Sequence, residues 1–139
     1  MIPPLKHIVC IDDDENILLV ARLALKTMGG YRVSAFSDSW NALREVRHLR
    51  PDMILLDAIM PGMDGPTVLK TLRENMEVSN IPIFFLTAKT APEDAEYFLS
   101  IGADGVLNKP FDPMTLAKQV KELWEQWHAK ESNGTSSNG

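Results

Sequence analysis

A single cysteine, Cys10, is present in 139 residues, so no intramolecular disulfide can form. That excludes a disulfide-stapled secreted fold and makes a reducing, cytoplasmic setting the expectation. Cys10 lies within an apolar run and reads as a small buried hydrophobe. No apolar run approaches the roughly 20 residues that span a bilayer, so membrane insertion is not expected. The opening residues, Met1, Ile2, Pro3 and Pro4, show no signal-peptide pattern. Positive charge is in deficit: 14 Lys and Arg against 19 Asp and Glu, a net charge of −5. Such a balance argues against the phosphate backbone of nucleic acid as the main partner. There are only three histidines. His7 opens the first apolar run, His48 sits late in the second helical stretch, and His128 follows the last; all three read as surface or boundary residues rather than nucleophiles. Internal repeats are absent, and so is any linker before residue 131.

What remains is enough for one domain. Hydrophobic residues make up 45% and charged residues 24%, ordinary for a globular chain of this length. The domain is expected over 1–130, with a polar, disordered tail over 131–139. Short apolar runs alternate with stretches of helical spacing. Strands are expected at 7–11, 32–36, 53–56, 83–86 and 105–108. The second, partly alternating, reads as nearer an edge. Helices follow each strand. The first runs over 15–28 with Ile17, Val20, Ala21, Ala24, Leu25 and Met28 inward and a Gly29-Gly30 stop. The second is capped by Ser37 or Asp38, with Trp40, Leu43 and Val46 on one side. The third starts at Gly65-Pro66 with Val68, Leu69 and Leu72 inward. The fourth begins at Pro92 with Ala95, Phe98 and Leu99 inward. The last has Asp112 as cap, Pro113 at the first helical position, and a stripe of Leu116, Val120, Leu123, Trp124 and Trp127. Five strand–helix pairs in strict alternation imply an α/β fold: a five-stranded parallel sheet with helices on both faces, doubly wound in the flavodoxin-like (βα)5 manner.

The residues just past each strand of a parallel sheet gather on one edge. Here these are Asp12 and Asp13, Asp57, Thr87 and Lys109. An aspartate after an apolar run is, taken alone, more often a turn or cap residue. The convergence of four such strand ends changes that reading for Asp57. Three carboxylates in one small site repel, and cationic charge must offset them. Lys109 supplies one charge; Mg²⁺, a hard ion that favours oxygen ligands, would supply the rest. A carboxylate nucleophile, a metal, a lysine and a hydroxyl make a phosphoryl-transfer site that forms an aspartyl phosphate.

Four stretches carry a resemblance. They are Ile8-Val9-Cys10-Ile11-Asp12-Asp13-Asp14, then Asp57-Ala58-Ile59-Met60-Pro61-Gly62-Met63-Asp64-Gly65, then Phe85-Leu86-Thr87-Ala88, then Lys109-Pro110-Phe111. In this order and at this spacing, over about residues 5 to 128, the chain resembles a response-regulator receiver domain of the stand-alone, chemotaxis-regulator type. The resemblance implies that Asp57 is the phosphoacceptor, Asp13 a direct metal ligand and Asp12 a ligand largely through water. It implies that Ile59 lends its backbone carbonyl to Mg²⁺, Thr87 is the switch hydroxyl, Lys109 binds the phosphoryl group, and the Lys109–Pro110 bond is cis. The donor would be a phosphohistidine on a sensor histidine kinase or phosphotransfer protein. The output would be a downstream protein met through the face of the fourth helix, fifth strand and fifth helix, by a monomer or weak dimer. Such a domain catalyses only its own phosphorylation and dephosphorylation. One position departs: Val106 stands where the family often has an aromatic, so an aromatic rotamer switch is not available. Ile59 and Lys89 flank the site and are expected to tune the lifetime of the aspartyl phosphate. Two alternatives are a receiver within a larger hybrid kinase or multidomain regulator, and a pseudo-receiver that binds partners without phosphorylation. A small-molecule phosphatase would call for an acid two residues after the nucleophile, where Ile59 stands.

Overall fold

A computed structural model gives the fold; it describes residues 2–138, with side chains over 2–131. The elements alternate without exception: β1 (His7–Ile11), α1 (Glu15–Gly29), β2 (Arg32–Phe36), α2 (Ser39–Leu49), β3 (Met53–Asp57), α3 (Gly65–Glu74), β4 (Ile83–Thr87), α4 (Pro92–Ser100), β5 (Gly105–Asn108) and α5 (Leu116–Asn138). The strands form one sheet in the order β2-β1-β3-β4-β5, every pair parallel. The partly alternating β2 is an edge strand, as its sequence suggests. β1, β3 and β4, apolar apart from His7, Asp57 and Thr87 at their ends, fill the centre and are buried throughout.

Alternate residues of each strand feed two cores. Ile8, Cys10, Leu55 and Phe84 meet α1 and α5 on one face. Val9, Ile11, Ile54, Leu56 and Phe85 meet α2, α3 and α4 on the other. Three helices start on aspartate caps that accept backbone N–H groups: Asp14 for α1, Asp38 for α2 and Asp64 for α3. The caps stand on the same edge of the sheet as the carboxyl ends of the strands.

Several expectations are corrected. Val20, Met28, Trp40 and Leu99 are exposed, while Leu18 and Ala42 take core positions. Spacing identifies a stripe, but the sheet decides where its centre falls. α5 starts at Leu116, not Pro113: the Asp112 carboxylate and carbonyl accept the N–H groups of Met114, Thr115 and Leu116, forming a turn ahead of the helix. His7 is buried, with Nε2 2.8 Å from Ser34 Oγ. His128 lies within α5, its ring edge-on to Trp124 and Trp127. The tail expected over 131–139 lies outside the residues whose side chains are described, Glu131 apart. No helix among the described residues is long and apolar enough to cross a membrane.

Candidate functional site

The strand ends meet as the parallel topology requires. β1 delivers Asp12 and Asp13, β3 delivers Asp57, β4 delivers Thr87, and the chain beyond β5 delivers Lys109. One carboxylate oxygen from each of Asp12, Asp13 and Asp57 lies within 4.8 Å of the other two. Asp12 and Asp57 are buried, and Asp13 stands exposed at the rim. The Lys109 ammonium bridges the buried pair, 2.8 Å from Asp12 Oδ2 and 3.5 Å from Asp57 Oδ2.

Backbone groups fix these side chains. Asp12 Oδ1 accepts the Asp14 N–H at 2.9 Å, so the cap residue of α1 also orients the site. Asp57 Oδ1 accepts the Ile59 N–H at 3.2 Å. The Lys109 N–H donates to the Thr87 carbonyl at 2.9 Å, and the Lys109–Pro110 peptide is cis. Thr87 is buried, and its Oγ1 accepts the Lys89 N–H at 3.0 Å, which ties the hydroxyl to the loop before α4. Asp57, Ile59, Thr87 and Lys109 line one cavity of about 570 Å³, whose outer wall is Ile17, Val20 and Phe111.

The sequence marks Gly65 as a helix start, and the structure shows more. A Cβ there would lie 2.5 Å from the Asp57 carbonyl oxygen and 2.7 Å from Ala58 Cα. Only glycine lets the first turn of α3 approach the Asp57 backbone so closely. A glycine after an aspartate cap was the available signal, but its distance from Asp57 was not legible.

Burial and the negative charge of Asp12 push the Asp57 carboxyl up to about 6, against the Ile59 N–H and the Lys109 charge. Burial pulls the Lys109 ammonium down, yet the carboxylates of Asp12 and Asp57 outweigh it and leave its pKa above the ordinary value. The two shifts describe one arrangement: clustered negative charge that holds a cation tightly and has capacity for more. The donors are all oxygen, with no thiolate or imidazole in the cluster, which fits a hard divalent ion such as Mg²⁺.

A doubly wound (βα)5 domain with acidic residues converging at its strand ends is the class that fold and site define. Residues 8–121 match the family model for the response regulator receiver domain, and the chain belongs to that family. It is a signal-transduction domain of the kind found in two-component response regulators. The DNA-binding response regulator MtrA of Mycobacterium leprae is 38% identical over 116 residues, covering 84% of this chain and 50% of the relative. The alkaline phosphatase synthesis transcriptional regulatory protein PhoP of Bacillus subtilis is 36% identical over 118 residues, covering 85% of this chain and 48% of the relative. The chain thus spans about half the length of the curated relatives it matches. Among solved structures, the chemotaxis protein CheY4 of Vibrio cholerae superposes with a TM-score of 0.79 at 32% identity, covering 86% of this chain and 99% of that one. The receiver domain of the Francisella response regulator 1452 superposes with a TM-score of 0.76 at 28% identity, covering 87% and 98%.

Proposed function

We propose that this domain takes a phosphoryl group from a phosphohistidine onto Asp57 and signals through the face of α4, β5 and α5. The observation that carries the reading is the convergence of Asp12, Asp13 and Asp57 around Lys109. In the transfer, a carboxylate oxygen of Asp57 attacks phosphorus. The O–P bond forms as the N–P bond breaks, and the imidazole nitrogen leaves with the electron pair and takes a proton from solvent. The Ile59 N–H holds Oδ1, which fixes the carboxylate for attack. Lys109 already faces Oδ2 and would stay with the phosphoryl oxygens as they arrive. Asp13, Asp57 and the Ile59 carbonyl would hold Mg²⁺, with Asp12 acting largely through water. Bound there, Mg²⁺ supplies positive charge to the oxygens of the transferring group.

Thr87 couples the site to the surface. Its hydroxyl would turn to donate to a phosphoryl oxygen, disturbing the bond it now accepts from Lys89. Residues 88–91 then shift, and α4 with them. Val106 is half-buried against the α4 side of the sheet, so the displacement is carried by the loop and helix rather than by an aromatic on β5. Hydrolysis of the aspartyl phosphate resets the site, and the domain turns over no other substrate. A sensor histidine kinase or phosphotransfer protein is the donor, a downstream protein the target, and the cytoplasm the setting. The proposal is the same whether the domain acts alone or within a longer regulator.

Intact-mass measurement after incubation with acetyl phosphate tests the reading. The expected result is one phosphoryl adduct that needs Mg²⁺ and is lost in Asp57→Asn. An adduct that persists in Asp57→Asn places the acceptor elsewhere. No adduct with acetyl phosphate or phosphoramidate favours the pseudo-receiver.

A further inference from the structure

Of the three tryptophans, Trp124 and Trp127 are anchored: their indole N–H groups donate to the Pro3 carbonyl and to Asp104. Trp40 is not. It occupies the second position of α2 with 66% of its surface exposed. An indole combines a broad apolar face with an N–H donor, which suits it to a contact surface. Its indole lines a cleft of about 330 Å³ together with Asp13, Asp38, Met60 and Met63. The walls are fastened to each other: Ser39 Oγ donates to the Met63 carbonyl at 3.1 Å and touches Met60 Sδ at 3.8 Å. Asp13 belongs to both this cleft and the acidic cluster around Asp57.

The chemistry of the lining selects the occupant. Asp38 gives one oxygen to the Trp40 N–H as the helix cap, and neither Asp38 nor Asp13 has a cationic partner among the described residues. The α2 dipole contributes roughly half a positive charge at this end, which offsets only part of the carboxylate charge. An anion is therefore repelled. An aromatic face and two thioethers favour an apolar stem, and the same aromatic face attracts a cation at its tip. An aliphatic chain ending in a guanidinium or ammonium meets every condition.

We propose that this cleft receives an arginine or lysine side chain of the protein that delivers the phosphoryl group to Asp57. The inference rests on the phosphoacceptor reading above. A protein that presents a phosphohistidine to Asp57 must cover the rim formed by Asp13 and Ile59. It then reaches the adjoining cleft, since Asp13 lines both. Tryptophan–arginine contacts of this kind carry a disproportionate share of interface energy.

The chemistry is tested first without phosphodonor or metal, by following the ¹⁵N-indole signal of Trp40, assigned through Trp40→Phe. Butylguanidinium is expected to shift that signal saturably and leave those of Trp124 and Trp127 in place. Neutral butylurea should bind at least fivefold more weakly. Asp38→Asn keeps a good cap and removes the charge, and should weaken the guanidinium at least threefold. Equal responses to the two probes, or indifference to Asp38→Asn, overturn the proposal. The second arm measures phosphorylation of Asp57 by helical peptides that carry a phosphohistidine, with arginine or norleucine one or two turns to either side. At least one arginine peptide should react fivefold faster than its norleucine twin, and Trp40→Ala should erase the difference while leaving acetyl phosphate rates unchanged. No arginine advantage at any position overturns it, as does tighter occupancy by spermidine than by every arginine peptide. If Asp57 is not the acceptor, no peptide reacts at all while the indole result stands, so the two failures are distinct.

Discussion

The Asp57 carboxylate is buried beside Asp12, and its ionisation is resisted in the fold more than in the open chain. Its pKa rises from 3.8 to about 6, burial being the larger cause and the charge of Asp12 the next. The native state therefore binds more protons than the unfolded state between those values. Stability due to this group falls as pH rises through that window, and the whole cost is present above it. Asparagine carries no such cost. The metal-free Asp57→Asn protein should be more stable than the wild type above pH 6, by on the order of 1–2 kcal/mol. The gap should close as pH falls toward 4. His7 acts in the opposite sense: burial and the charge of Arg32 lower its pKa, so acid costs stability there. Because His7 is common to both proteins, the difference isolates Asp57. Urea unfolding in EDTA at several pH values reads it, and a gap independent of pH would refute the burial account. At this scale the sequence was most legible where chemistry fixes residue type. Asp12, Asp13, Asp57, Thr87 and Lys109 follow from one rule about strand ends. His7 does open β1, but its burial against Ser34 depends on which strand becomes β2's neighbour, and no local pattern encodes that.

Strands are legible because their signals are local: β-branched runs bounded by Pro, Gly and Asp. Of the aspartate caps only Asp38 is singled out by the sequence, beside Ser37, whereas Asp14 and Asp64 are not. Helix faces are less legible than strands. Trp40 has the right spacing for the core, yet it stands in the first turn of α2, where the helix overhangs the strand ends. A contact that joins elements through one side chain leaves no periodic trace at all. Arg73, at the end of α3, donates to the carbonyls of Ser79, Ile81 and Gly102 and pairs with Asp104 at 2.7 Å. Asp104 in turn accepts the Ile83 N–H and the Trp127 indole. One guanidinium thus ties α3, the loop before β4, the turn after α4 and, through Asp104, α5. Arg73→Ala would strand three carbonyls and leave Asp104 without its cation. The expected cost is about 2–4 kcal/mol, since half-buried acceptors lose charged donors together. Equilibrium unfolding followed by Trp emission and by far-ultraviolet circular dichroism should show it in both signals. A change below about 0.5 kcal/mol, the range of a solvated surface pair, would show that the network is ornamental. The clamp lies at the end of α4 remote from the site. The other end of α4 has no side-chain cap, and Phe98 is its only buried residue. A helix held at one end and loose at the other is suited to respond to the Thr87–Lys89 loop.

Taken whole, the molecule has two cores on one sheet and a charge distribution that the fold makes uneven. All five strands run the same way, so every strand-end carboxylate lands on one edge, whereas the Arg73 clamp lies toward the other. The sequence made this polarity readable because alternation of strand and helix permits essentially one handedness of crossover. The register that brings three carboxylate oxygens within 4.8 Å was beyond it, because that depends on how strands slide against each other. The uneven charge has a consequence for the entire fold. A divalent cation that binds the acidic edge only in the native state stabilises the domain by RT ln(1 + [M]/Kd), about 2.7 kcal/mol at a hundredfold excess over Kd. Mg²⁺ should therefore raise the melting temperature at pH 7.5 by several degrees, while NaCl of equal ionic strength should not. Protons compete for the same oxygens, so the increment should shrink as pH falls through about 6, where Asp57 takes up its proton. Asp13→Asn should remove most of the increment without abolishing folding, because Asp13 is exposed and caps nothing. Differential scanning calorimetry over pH 5–8 reads all three expectations. If Mg²⁺ stabilises Asp13→Asn as much as the wild type, the ion acts at some other site and the acidic edge is held together by Lys109 alone.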